Sequence, residues 1–271
     1  MIPAPFAYER AASVEDAVAL LARHGDDAKV LAGGHSLIPL LRLRFARPSV
    51  LVDIGRVPGL DGVRDDGELS IGAMTRYCDV EASPLVAERA PLLAAAAAEV
   101  GDAQVRHRGT IGGSICHGDP ASDVAAALLA LGATVVVRGP AGERRIALEE
   151  VFVGFLETAI APDEILVEVR VPVTSAPWAF EKFNRRAQDW AIVGCAVLAG
   201  SEPRVALVNM ATTPRRAPLV EEALARGASA REAADLASEG TEPPSDANAS
   251  AQFRRHLARV LVRRALERAS R

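Results

Sequence analysis

Two glycine-rich turns constrain this chain more than any other feature. The first is Lys29-Val30-Leu31-Ala32-Gly33-Gly34-His35-Ser36-Leu37. The second runs Gly109-Thr110-Ile111-Gly112-Gly113-Ser114 and on through Cys116, His117, Asp119 and Ser122 to Asp123. Each sets adjacent glycines between an apolar segment and a helix start. Without a Cβ, successive backbone N–H groups can face one concavity, and a ligand can approach the main chain closely. A helix N-terminus behind such a nest favours phosphate oxygens without any cationic side chain. Taken singly, each turn also reads as an ordinary strand–turn–helix connection. Taken together, the two can hold the halves of one dinucleotide. Neither carries the phosphate-loop lysine pattern or the spaced GxGxxG of a Rossmann site.

The elements around these turns alternate irregularly. Ser13 with Asp16 resembles a capping box and opens a helix that reaches His24, with Gly25 as its stop. Short strands are expected at 29–32, 50–54 and 69–73, and Ser36 is placed to cap a helix over Leu37–Leu43. Ser83 caps an alanine-rich stretch split at Pro91 and ended near Gly101. Ser122 starts a helix reaching Leu131, and 134–137 is a β-branched strand. From Ile165 onward, Ile165–Val171, Trp178–Phe183, 191–198 and 204–209 read as successive strands, which predicts an antiparallel sheet. Two helical segments close the chain, separated by the polar linker 238–250. With 271 residues, 49% of them apolar, the chain can bury one large core or two ordinary ones. The break at 173–177 is the candidate boundary of an α+β chain in two parts.

Charge and cysteine usage narrow the function. A formal charge of −4 argues against a nucleic-acid or membrane-surface binder, which would carry a basic excess. No uninterrupted apolar run reaches the ~18–20 residues of a membrane span. The opening segment has neither a basic n-region nor an apolar h-region. Cys78, Cys116 and Cys195 lie far apart without a CxxC, so three buried thiols, no metal site and a cytoplasmic setting are expected.

Single residues carry further expectations. Among 31 basic residues, Lys29 and Lys182 alone are lysines. A compact ammonium can sit beside a phosphate or a cofactor ring where a planar guanidinium does not fit; chance retention at the surface is the alternative. Asp123 reads either as part of the Ser122 helix cap or as an acceptor for ribose hydroxyls. His35 and His117 have no carboxylate or thiol at a readable spacing and read as pocket lining, not as members of a triad. Trp190 reads as core or as a cofactor shield. In the tail, Arg254, Arg255, Arg259, Arg263, Arg264, Arg268 and Arg271 accompany an apolar stripe of Phe253, Leu257, Val260, Leu261 and Ala265. That pattern is a solvated basic face over a packed stripe, or a surface for another subunit.

Ala32-Gly33-Gly34-His35-Ser36 and Thr110-Ile111-Gly112-Gly113-Ser114, continued to Asp123, closely resemble the two FAD-binding signatures of the molybdenum hydroxylase (xanthine dehydrogenase) flavoprotein subunits. The branch the chain resembles most is the medium subunit of aerobic-type carbon monoxide dehydrogenase. Stretches at 52–59, 104–109, 161–165, 181–187, 244–246 and 253–262 extend the likeness over nearly the whole chain.

The resemblance implies an FAD-binding domain of the vanillyl-alcohol-oxidase (PCMH) type over 1–175, in subdomains of about 1–57 and 58–175. A CO dehydrogenase flavoprotein C-terminal-like domain over 176–271 follows, a three-stranded antiparallel sheet with helices. By position, Ala32 to Ser36, followed by Leu37, would wrap the pyrophosphate. Thr110, Gly112, Gly113 and Ser114 would make the second cradle, and Asp123 would bind a ribose or ribityl hydroxyl. Lys29, Leu31, Ile165 and Lys182 match positions near the adenine half or the ring, Val100 and His117 others near the flavin, and Trp190 an aromatic position beside the isoalloxazine. Ser114 stands where the family usually has Asn, and 208–213 departs from its usual glycine-rich strand end. Valine at both Gly33 and Gly113 is expected to abolish FAD binding and leave a folded chain.

The implied activity is electron transfer. Iron–sulfur clusters of a small partner subunit, fed by a molybdopterin-containing large subunit, would reduce FAD here, and an acceptor such as NAD, quinone or oxygen would reoxidise it. The reacting atom is flavin N5, with no catalytic side chain required. A stand-alone FAD-dependent oxidoreductase with its own substrate is the alternative, and a binding protein that has lost the cofactor is a third.

Overall fold

The computed structural model describes residues 2–270. Ser13 opens the first helix, Val14–His24: its Oγ accepts from the Asp16 amide at 3.1 Å, and Gly25 ends the helix at φ +54°. Asp16 reaches back to the Ala12 amide at 2.8 Å, so the box closes one residue earlier than predicted. The helix packs Val14, Ala17, Val18 and Leu21 onto a parallel three-stranded sheet. In that sheet Val50–Asp53 lies between Ala7–Arg10 and Ala28–Leu31.

The second sheet has five antiparallel strands in the order Val63–Asp65, Leu69–Gly72, Ile165–Val171, Thr134–Gly139, Gly142–Ala147. This corrects the expectation for Ile165–Val171. It does not join the later strands but sits at the centre of the earlier sheet, with Val169 opposite Ile71 on one side and Val135 on the other. Strand periodicity identifies such a segment without saying which sheet takes it.

The C-terminal sheet contains the three expected antiparallel strands, Trp178–Phe183, Val193–Leu198 and Arg204–Val208, extended by the two-residue strand Arg215–Arg216. Every residue of Val193–Leu198 is buried. Ala196 and Leu198 face the core of the five-stranded sheet, whereas Val193, Cys195 and Val197 face the closing helices. Between the two sheets lies the helix Asp123–Leu131, buried along its whole length. A helix apolar on all sides has to sit inside a protein, and here it joins the two parts of the chain.

Three helices close the chain, not two: Pro218–Ala225, Ala230–Asp235 and Ala251–Ala269. In the last, the packed face is Leu257, Ala258, Leu261, Val262, Ala265 and Leu266. Phe253 instead lies exposed against the ring of Phe183. Arg254 is buried rather than part of the solvated basic face; Arg271 lies outside the described residues. Of the cysteines, Cys195 is buried, Cys78 half-buried and Cys116 exposed. Among the described residues no helix is long and apolar enough to cross a membrane, and no group of His, Cys, Asp and Glu is placed to hold a metal ion.

Candidate functional site

The two glycine turns meet. A Cβ on Gly33 would fall against the Arg108 carbonyl oxygen, so the first turn can touch the start of the second only as glycine. Gly34 adopts φ +80°, a conformation open to glycine at little cost. The second turn is pinned from below. A Cβ on Gly109 would lie 2.7 Å from the Tyr77 ring, and one on Gly112 would lie 2.6 Å from the Ala73 side chain.

The turns differ in what their amides do. In the second, Ile111 N donates to Thr75 O at 3.0 Å, Gly112 N to Ala73 O at 2.9 Å, and Ser114 N to Thr110 O at 3.1 Å. Gly113 N donates to Thr110 Oγ1 at 3.2 Å, the N-cap of the helix Ile111–His117. These donors are engaged, and the expectation of two equivalent nests is corrected accordingly. The first turn is otherwise: among the described residues no protein acceptor receives the amides from Ala32 to Leu37. Ser36 stands at the N-cap of Leu37–Leu43, but its side chain makes no capping bond. A row of unengaged donors ahead of a helix is an anion site in waiting.

A cavity of about 700 Å³ runs between the turns and on to the C-terminal sheet. Lys29, Ala32, Gly33, Gly34, His35, Ser36 and Leu37 line one part of it. Thr110, Gly112, Gly113, Ser114, His117 and Asp123 line it as well, with Val100, Ile165, Lys182 and Trp190. Leu31 does not: its Cδ1 lies beneath Gly34, 3.5 Å from where a Cβ would be. Trp190 is 66% exposed at the cavity wall and is not core. Cys116 lines the cavity as well, which is why it is exposed.

The strongest electrostatic feature is one that sequence reading approached from both ends without joining. Lys182 Nζ donates to Asp123 Oδ2 at 2.7 Å and to the Glu99 carbonyl oxygen at 2.8 Å, where the helix Pro91–Ala98 ends. Asp123 stands at the first position of its helix, behind the Ser122 cap, so both charges complement helix dipoles. Burial pushes the Asp123 carboxyl up to about 6 even with Lys182 beside it. Its second oxygen, Oδ1, is buried without a partner, and an unmet acceptor of this kind is costly unless a ligand supplies a donor.

Tyr77 is a cavity residue that sequence reading missed. It is buried at the cavity floor, and burial raises its phenol to about 12. Nothing in its spacing marks it, because its position follows from the contact with Gly109. Leu156, Thr158 and Gln188 also line the cavity and were likewise unmarked. Ser114, where an amide was expected, bonds the Ser122 hydroxyl at 2.9 Å and so faces the cap of the buried helix.

Unengaged amides, glycines that exclude side chains and an orphaned carboxylate oxygen in one cavity suit a long, polyhydroxylated dinucleotide. The cavity thus fits a dinucleotide, with glycine turns that are not a Rossmann loop. Residues 4–174 match the FAD binding domain in molybdopterin dehydrogenase, and residues 178–269 match the CO dehydrogenase flavoprotein C-terminal domain. The chain belongs to this family of FAD-binding molybdenum hydroxylase proteins.

It is 43% identical to the carbon monoxide dehydrogenase medium chain of Hydrogenophaga pseudoflava, with 99% of this chain and 98% of the relative covered. It is 40% identical to the alpha subunit of the 6-hydroxypseudooxynicotine dehydrogenase complex of Paenarthrobacter nicotinovorans, with 99% and 96% covered. Among solved structures it superposes on a chain of the Hydrogenophaga pseudoflava carbon monoxide dehydrogenase with a TM-score of 0.96, at 44% identity, over 100% of this chain and 99% of that one.

Proposed function

We propose that this chain is the FAD-carrying subunit of a cytoplasmic molybdenum hydroxylase. Electrons would arrive from iron–sulfur clusters of a small partner subunit, served by a molybdopterin-containing large subunit, and leave to NAD, quinone or oxygen. The observation that carries the reading is the pairing, in one cavity, of the unengaged amides of 32–37 with the orphaned Oδ1 of Asp123.

In this reading the first turn holds the pyrophosphate on backbone donors, and Asp123 accepts from a ribose or ribityl hydroxyl. Lys182 keeps that carboxylate ionised and aimed. Gly112, Gly113 and Ser114 line the cavity beside it, and Trp190 covers the ring from solvent. The division at 175/176 separates the part that binds from the part that supplies Lys182 and Trp190. When bound, FAD supplies a carrier able to exchange electrons one or two at a time. No side chain need act as nucleophile or general base.

The first experiment is a visible absorption spectrum of the purified chain before and after adding FAD. Flavin bands co-migrating at one per chain support the site. No flavin bound, and none taken up, overturns it. Co-expression with candidate partner subunits then decides the rest. A chain that turns over a small-molecule substrate alone, as a monomer or homodimer, would favour the stand-alone oxidoreductase.

A further inference from the structure

The loop 184–192 leaves the C-terminal sheet after Phe183 and returns to it at Val193, and it sends Gln188, Asp189 and Trp190 to the cavity. Its own bonds are few, and one further anchor comes from outside it, where Asn209 Nδ2 donates to the Ala191 carbonyl oxygen at 2.9 Å. Arg186 Nε donates to Asp189 Oδ2 at 3.0 Å, and Gln188 takes φ +70°, unusual for a residue with a side chain. Trp190 is largely exposed. The pose of such a loop has to be set at its stems.

Both stems are gripped by two consecutive residues of the helix Ala251–Ala269. Ile192 N donates to Phe183 O at 2.8 Å and closes the neck. Phe253 then packs edge-on against Phe183, with ring centroids 6.1 Å apart and planes at 81°. The next residue, Arg254, is 1% exposed and donates Nη1 to the Ile192 carbonyl oxygen. Its Nη2 donates to Asp246 Oδ2 at 2.7 Å. Asp246 is itself held by the amides of Asn248 at 2.8 Å and Ala249 at 3.0 Å. A buried ion pair is weak evidence of a stabilising role, since apolar residues of the same volume commonly do as well. What an arginine offers here is geometry, two donors in a rigid fork that ties the loop stem to the linker ahead of the helix.

We propose that Arg254 is a positioning residue for Trp190. By holding the Ile192 carbonyl it fixes the stem two residues downstream and so sets the indole against the cavity. Arg254 does not itself line the cavity. The proposal rests on the FAD reading only for what the cavity holds.

The test uses the full chain labelled with 5-fluorotryptophan, whose two tryptophans give two ¹⁹F resonances assigned with Trp190→Phe. Trp178, at the far end of the strand that ends in Phe183, is the internal control. In Arg254→Met the Trp190 resonance should move towards that of free tryptophan and narrow, with Trp178 unmoved. Arg254→Lys, which can keep one bond, should fall between. A folded Arg254→Met with Trp190 unmoved overturns the proposal, and so does a shift of both resonances together, which would mark a general structural role. If Arg254→Met does not fold, Asp246→Asn, altered at the exposed end of the pair, is judged by the same two criteria. These spectra are taken without cofactor, so failure of the chain to bind FAD would defeat the functional reading and leave this test standing.

Discussion

Lys182 Nζ and Asp123 Oδ2 lie 2.7 Å apart with both side chains almost wholly out of solvent, and the pair spans the junction between the C-terminal sheet and the buried helix Asp123–Leu131. One ion pair therefore serves the cofactor cavity and the joint between the two parts of the chain. Stability and FAD affinity should respond to it together.

Lys182→Met leaves a buried carboxylate unpaired and should destabilise the chain by about 3–5 kcal/mol. Asp123→Asn placed on top should recover much of that loss. A double-mutant cycle in urea checks both, and additive single effects would mean that the pair carries no coupling.

The pH dependence has a definite sign. Asp123 titrates near 6 in the folded chain, against 3.8 as its ordinary value. Between those values the folded state keeps a proton that the unfolded state has released, so stability falls as pH rises. The contribution is complete below 3.8 and gone above about 6. Relative to Asp123→Asn, the parent chain should lose on the order of 3 kcal/mol across that window. Urea unfolding of both at several pH values tests this, with a flat difference as the adverse result.

Gly33 and Gly113 should not behave alike. A Cβ at Gly33 meets backbone, at Arg108, and the two turns must part to admit it. Gly33→Ala should cost about 1–3 kcal/mol and remove flavin uptake. At Gly113 the nearest atom is Thr110 Oγ1, 2.7 Å away, so Gly113→Ala should cost about 1 kcal/mol through the helix cap. The double valine variant is therefore expected to be compromised in folding as well as in binding. Thermal melts with and without FAD separate these outcomes.

Trp190→Ala removes an exposed side chain and should leave stability within about 0.5 kcal/mol of the parent. With the ring uncovered, flavin reduced by dithionite should be reoxidised faster by oxygen in stopped flow. An unchanged rate would take the shielding role from Trp190.

How much of this could be read from the residues depends on range. Ser13, Ser83 and Ser122 act within three residues of themselves, and local pattern is enough to find such caps. Adjacent glycines mark both turns, yet which of them keeps its amides free depends on Ala73 and Thr75, distant in sequence and invisible to spacing. Lys182 and Asp123 each draw notice, one by rarity and one by its place after Ser122, but 59 positions separate them. Arg254 misleads for the same reason. It looks like one basic residue among many until Ile192 and Asp246 are brought against it.

The place of Ile165–Val171 also orders events in time. Its two neighbours in the sheet, Leu69–Gly72 and Thr134–Gly139, are both made earlier and cannot pair with each other across the gap it fills. Until residue 171 has left the ribosome, two strands expose open edges, and edges of that kind recruit other chains. The pairing that closes the sheet is also long-range, which slows folding. A nascent chain stalled or truncated before that point should go to chaperones or aggregates, whereas one that has passed it can complete its first part while the residues after it are still being made.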